Sequence, residues 1–168
     1  MVHRDIKPDN VLLVDDHAIV ADLGIAHLEG EDETRLTVTG NLVGTPRYLS
    51  PEGRDVSPAT DLYSVGVVLF ELLTGTLPFG GSSIAELLVQ ISTMPAPEIV
   101  GCDVPRALAA MVDSMQSRSP SDRPRDAGSA AAALAEAASM DAASMDAASM
   151  DAAAVAAARR GLSGVGSP

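Results

Sequence analysis

Cysteine occurs once in this 168-residue chain, at Cys102, with no second cysteine or histidine at metal-ligand spacing beside it. That excludes an intrachain disulfide and fits a reducing compartment, with the thiol serving as a small, partly buried apolar group. Lysine is equally scarce, and Lys7 is the only one. Lys and Arg together number 11 against 23 Asp and Glu, so the net charge is −12, and no basic run offsets it. A phosphate backbone or an anionic membrane surface would be repelled, which excludes nucleic acid and membrane as partner classes. Long apolar runs are missing too. The most apolar stretch, Leu62 to Leu73, is too short to cross a bilayer and is broken by Ser64 and Glu71. The opening residues are charged and predict no secretory leader, so a soluble, cytoplasmic protein is expected.

The last forty or so residues are nearly all Ala, Ser, Met, Asp and Gly, which leaves about 125 residues to build one modest core. From Ala137 the unit Ala-Ala-Ser-Met-Asp repeats three times, ending at Asp151. A five-residue period advances a helical side chain by about 140° per unit, so Met140, Met145 and Met150 spread around the cylinder and form no stripe. The repeat reads as a solvated spacer, and Gly161 to Pro168 is expected to be disordered.

Val11 to Val14 and Ala18 to Ala21 are short apolar runs flanking Asp15-Asp16-His17, which predicts a β-hairpin with Asn10 and Asp22 at one end of its two strands. Glu29 to Gly40 is polar and aperiodic, a surface loop carrying several threonines. The next periodic element is a helix from Leu62 to Thr74, capped by Asp61 and stopped by Gly75. It is apolar on nearly every side, as a helix in the middle of a domain is. Further helices are predicted from Ser83 to Ser92, from Pro105 to Met115, and from Asp126 into the alanine tract.

Four blocks in order, His3-Arg4-Asp5-Ile6-Lys7-Pro8-Asp9-Asn10, Asp22-Leu23-Gly24, Gly44 to Glu52, and Asp61 to Gly75 with Arg123 downstream, resemble the motifs of bacterial-type serine/threonine protein kinases. The resemblance covers residues 1 to about 138 and implies the larger part of a kinase C-terminal lobe. The implied fold is mainly α, with a short β-hairpin at the catalytic loop, an incomplete domain followed by a tail over 139–168. Asp5 then resembles the base that accepts the substrate hydroxyl proton, and Asn10 and Asp22 resemble the Mg2+ ligands. Lys7 would contact the transferred phosphate of ATP, and a lysine at this place resembles the serine/threonine branch. Thr45, in a Gly-Thr-Pro turn, would bond Asp5 and Lys7. Phosphoryl transfer is mostly positioning and charge neutralisation, which is why a proton acceptor stands beside oxygen ligands for hard cations.

The same resemblance implies structural roles for His3 under the loop, for a buried Glu52–Arg123 ion pair, and for Asp61 bracing the catalytic-loop backbone. Thr37 and Thr39 resemble the paired activation-loop threonines of bacterial relatives, and Arg4 is the charge that a phosphate there would meet. Leu23 stands where phenylalanine is commoner, Ser50 where alanine is, and the Glu52 to Asp61 stretch is shorter than in most relatives. The Gly-rich strand, strand lysine, helix glutamate and adenine-reading hinge of the family precede the catalytic loop and are not among these residues, and a Leu62 to Leu73 helix without its usual neighbour would expose an apolar patch. Two readings follow. The chain is a kinase whose 168 residues are inactive alone, with protein substrates or partner kinases as its partners, or it is a pseudokinase-like binding module that docks kinases or their substrates. A decaying remnant without function is a third.

Overall fold

The helix that organises the rest is α1, Pro58–Thr74, in the computed structural model, which describes residues 2–15, 17–22, 46–53, 55–100 and 104–139. Pro58 sits in the first turn, where no N–H is needed, and the Thr60 hydroxyl accepts the Ser57 N–H at 3.0 Å. The helix therefore begins a turn before Leu62, and Asp61 is not its cap. A proline that tolerates N1 and a Ser-x-x-Thr pair do that work, which releases the Asp61 carboxylate for another use. Gly75 ends α1 in the left-handed conformation, φ +74°, its N–H donating to the Glu71 carbonyl at 2.8 Å.

Three shorter helices follow. The first, α2, Ile84–Thr93, is capped by the Ser83 hydroxyl, which accepts the Glu86 N–H. Next comes α3, Arg106–Met115, entered from Pro105. The last, α4, residues 127–139, starts where Asp126 accepts the Ser129 N–H at 2.7 Å. Tyr63, Val67, Phe79, Leu87 and Ile91 form one cluster between α1 and α2, and Leu62, Met115 and Ala130 form another between α1, α3 and α4. Each of the Val, Leu, Ile, Phe and Met side chains among them is worth about 1.5–3 kcal/mol on burial, so α1 is held from two sides.

Gly66 lets α1 and α3 touch. A Cβ built there would lie 2.9 Å from the Met115 Cβ and 3.3 Å from the Met115 carbonyl carbon, a backbone atom that cannot swing away. Gly66→Ala gains up to about 1 kcal/mol of helix propensity but overpacks the contact at a cost of about 1–3 kcal/mol. The expected result is net destabilisation, read as a lower urea midpoint with an unchanged m-value. An equal or higher midpoint would mean that the helices can part without loss.

Among the described residues the sheet is a single antiparallel hairpin of β1, Val11–Val14, and β2, His17–Val20, with Val11 opposite Val20 and Val14 opposite His17. His17 belongs to the strand and not to the turn, because Asp15 takes a left-handed φ of +52° and closes the turn tightly. Leu12, Leu13, Val14, Ile19 and Val20 are all exposed, Leu13 at 79%. The hairpin is therefore one concentration of exposed apolar surface, and Leu49, Val56, Leu72, Leu88, Val89, Met94 and Val100 are exposed elsewhere. On α1 only Leu72 among the large apolar residues is strongly exposed, since α2, α3 and α4 cover the others. Between Glu52 and α1 the chain makes a turn at Pro51–Gly53 and then runs without helix from 55 to 57.

Candidate active site

Two successive peptide N–H groups point at one carboxylate. Asp61, in the first turn of α1, accepts the His3 N–H on Oδ2 at 2.7 Å and the Arg4 N–H on Oδ1 at 2.9 Å. Arg4 takes φ +70°, a conformation that costs most residues about 1–2 kcal/mol, and the clamp holds it there. The following residue, Asp5, receives two donors on the same oxygen: Lys7 Nζ at 2.8 Å and Asn10 Nδ2 at 3.0 Å converge on Oδ2. Asn10 is buried, and its amide nitrogen also donates to the Asp5 carbonyl at 2.7 Å, so its amide oxygen is the end left for another partner. The Asp5 and Lys7 side chains stay partly open to solvent.

The hairpin carries this loop to a second corner. The Ala21 N–H donates to the Asn10 carbonyl at 2.8 Å, continuing the ladder and setting Asn10 and Asp22 at the same end of the strands. Asp22 is exposed and left-handed at φ +55°. His3 Nε2 lies 3.0 Å from the Ala21 carbonyl; a carbonyl only accepts, so Nε2 carries the proton, and the buried Nδ1 has no hydrogen-bond partner among the described residues. His3 thus ties the loop to the residue before Asp22. Lys7 and Asn10 are brought to Asp5; Asp61 and His3 hold the backbone beside them, and Asp22 stands at the same end of the hairpin as Asn10. The Arg4 side chain makes no ion pair with a described residue, and Thr37, Thr39 and Thr45 lie outside the described residues, as do Cys102 and the repeat beyond Ser139.

Glu52 and Arg123 form a buried fork. Arg123 NH1 and NH2 donate to the two Glu52 oxygens at 2.6 and 2.7 Å, and the remaining N–H groups reach the carbonyls of Ala59, Ser117 and Arg118. The guanidinium also lies 5.0 Å from the centre of the Tyr63 ring. Burial pushes the Glu52 carboxyl upward, but hydrogen bonds from Arg123 and from its own backbone, with the Arg123 charge, outweigh this and hold it below the ordinary carboxylate value. Burial also pushes the Tyr63 phenol up to about 12.

Three contacts here were not anticipated from sequence. The Tyr48 hydroxyl donates to Glu71 Oε2 at 2.7 Å, and the Tyr48 carbonyl accepts the Ser64 hydroxyl at 2.8 Å. The Thr60 hydroxyl lies 3.3 Å from Glu52 Oε1. Burial first, then the hydrogen bond to Glu71 and its charge, raises the Tyr48 phenol well above its ordinary range. A signal was present: Ser64 and Glu71 are the two polar interruptions of the apolar run, two helical turns apart and so on one face.

The model of the protein kinase domain matches residues 1–136 of this chain. The chain belongs to the protein kinase family. It is 42% identical to the serine/threonine-protein kinase PkaA of Streptomyces coelicolor over 132 residues, which are 74% of this chain and 23% of PkaA. To the serine/threonine-protein kinase PknL of Mycobacterium tuberculosis it is 39% identical over 145 residues, 81% of this chain and 36% of PknL. The chain thus spans about a quarter to a third of the length of these bacterial serine/threonine kinases. Among solved structures, Rad53 1-466 in complex with AMP-PNP superposes with a TM-score of 0.57 at 28% identity, over 79% of this chain and 33% of that one. The helix-rich fold with one short antiparallel hairpin is that of part of a kinase domain.

The donor set of this kinase chain fits Mg2+. Asn10 offers an amide oxygen and Asp22 a carboxylate, and Mg2+ is commonly held by one or two protein oxygens plus waters and substrate phosphates. No group of three or more His, Cys, Asp or Glu among the described residues forms a cage of its own.

Proposed function

We propose that this chain carries the phosphoryl-transfer chemistry of a serine/threonine protein kinase, moving the γ-phosphate of ATP to a serine or threonine hydroxyl of a protein. The observation that carries the reading is the convergence of Lys7 and Asn10 on one oxygen of Asp5, inside a loop whose backbone Asp61 holds. Asp5 accepts the hydroxyl proton of the substrate. Lys7, tethered to it, meets the transferred phosphate. Asn10 and Asp22 hold the metal, and His3 keeps the Asp22 corner in register with Asp5. Bound Mg2+ supplies neutralisation of charge on the phosphates. That Rad53 was solved with AMP-PNP supports an adenine nucleotide as the phosphate donor.

On this reading residues 1–138 correspond to the larger part of a C-terminal lobe and 139–168 to a spacer. The 168 residues alone transfer phosphate poorly, since their single lysine stands in the catalytic loop and leaves none to pair with the nucleotide phosphates from above. Thr37 and Thr39 are the regulatory acceptors, phosphorylated by a partner kinase and met by Arg4, and Thr45 belongs to the site. No helix among the described residues is long and apolar enough to cross a membrane, and the chain's charge and composition support a cytoplasmic place for it.

The test joins the nucleotide-holding half of PknL to this chain before Met1 and measures transfer of labelled γ-phosphate to a serine/threonine peptide. Transfer is expected from the joined protein and not from the 168 residues alone. Asp22→Asn should raise the Mg2+ concentration needed for half-maximal rate by about tenfold or more, because one of two protein oxygens loses its charge. A joined protein that folds and binds ATP but transfers nothing would sink the reading.

A further inference from the structure

The C-terminal ends of α2 and α3 and the Pro51-Glu52 corner border an open cleft of about 700 Å³, within the range that bound ligands commonly fill. Its lining is unevenly charged. Glu52, Asp113 and Asp122 stand there against one cation, Arg118. Both Glu52 oxygens are taken by Arg123, and Arg118 NH1 donates to the Thr93 carbonyl, at the end of α2, at 2.9 Å. The Asp113 carboxylate has no partner among the described residues, and Asp122 accepts only the Ser121 hydroxyl at 3.4 Å. Two carboxylates of the lining are thus left without a cation. On a chain of net charge −12, acids alone would say little. Gln116, which also lines the cleft, adds something of another kind. It is 3% exposed, its stem packs beside Gly66 of α1, and its buried Oε1 has no hydrogen-bond partner among the described residues. An interior acceptor without a donor is costly, and a donor brought by a ligand removes that cost.

We propose that this cleft binds the arginine side chain of an extended segment of a partner protein. A guanidinium carries several N–H donors in one plane and no acceptor, so one edge can meet the Asp113 or Asp122 carboxylate while another N–H serves Gln116 Oε1. Its weakly hydrated face and aliphatic stem suit the apolar wall that Pro51 and Pro95 provide. Lysine supplies the charge but not the second donor edge. An anion would meet two unpaired carboxylates and an oxygen that cannot donate, with Arg118 already engaged by Thr93. The cleft is larger than one side chain, so the residues beside the arginine enter it as well. Binding here asks nothing of Asp5 or Lys7, and it stands whether or not the chain transfers phosphate.

Titration of the isotope-labelled 168-residue chain with the peptide acetyl-Ala-Ala-Arg-Ala-Ala-amide, followed by NMR, tests the site. Saturable shifts are expected at residues 95–96, 113–119 and 122, weaker with lysine in place of arginine and lost with citrulline, which keeps the shape without the charge. Asp113→Asn and Asp122→Asn, both at exposed positions, should each weaken binding by about two- to fivefold. Glu136→Gln, an exposed acid on α4, should leave it unchanged. Gln116→Leu should weaken binding by about tenfold yet keep or raise the urea midpoint, because it removes a buried acceptor that nothing satisfies. Equal weakening by Glu136→Gln would reduce the effect to general attraction by an acidic chain and overturn the proposal. Citrulline binding as tightly as arginine would overturn it too, as would shifts around Arg118 with inorganic phosphate and none with the arginine peptide. Should Gln116→Leu fail to fold, the two aspartate variants and the citrulline comparison still decide the outcome.

Discussion

Arg123→Ala is expected to destabilise the chain by about 3–5 kcal/mol, the usual consequence of removing one partner from a buried ion pair. The Arg123 side chain is 0% exposed and that of Glu52 10%, so the carboxylate left behind has little water to turn to. The loss also strands the carbonyls of Ala59, Ser117 and Arg118 and takes the cation off the face of Tyr63. Against a total of about 5–15 kcal/mol for a typical domain, this brings the chain near the unfolding threshold. Urea denaturation followed by circular dichroism would show the midpoint collapse, and a shift of less than about 1 kcal/mol would mean that the fork contributes specificity and little stability. Acid tests the same pair from the other side. The folded Glu52 carboxyl titrates below its unfolded value of 4.5, so its contribution is complete above that value and is lost as pH falls through the lower, folded one. Glu52→Gln removes that titration. The stability difference between the parent and Glu52→Gln should therefore shrink as pH drops below about 4.5, and a difference independent of pH would show that the charge on Glu52 is immaterial.

Asp5→Asn, in the protein joined to a nucleotide-holding half, is expected to lower kcat by about 10²–10⁴ while ATP binding stays within about twofold. The change keeps the shape and the hydrogen bonds that Asn10 and Lys7 direct at this position, but an amide cannot take the hydroxyl proton. The two donors on Oδ2 orient the acid in the ground state, and they would hold the amide in much the same place. Binding and chemistry should thus separate, which a purely structural role for Asp5 would not produce. Single-turnover phosphotransfer with nucleotide affinity measured by calorimetry reads the two quantities apart. Full turnover in Asp5→Asn would show that proton transfer to this residue is not needed and that Lys7 and the Asp22 corner supply the catalysis.

Much of the architecture could be read from the chain because its causes are local. Gly75 ends α1 in a conformation that only glycine adopts cheaply, Ser83 caps α2, and Asp126 starts α4, each through contacts within four residues. The two short apolar runs flanking Asp15-Asp16-His17 likewise encode the hairpin, and its register places Asn10 and Asp22 at one end. Family membership was legible for a related reason, since the catalytic-loop, Asp22 and Pro-Glu blocks are each contiguous in the chain.

The start of α1 was misread because Asp61 is a good cap by residue type. The bracing of the catalytic-loop backbone that the resemblance implied takes the carboxylate instead, with His3 and Arg4 as donors lying 58 and 57 positions away. Ser64 and Glu71 looked like flaws in an apolar run, and became anchors once Tyr48 arrived from another segment. The covering of α1, which leaves Leu72 as its one strongly exposed large apolar residue, was decided in the same way. Caps, turns and short apolar runs are settled by neighbours within a turn or two, so sequence alone determined the elements, their order and the family. Which polar side chain meets which distant backbone group depends on how whole helices pack, and that only the tertiary structure decided.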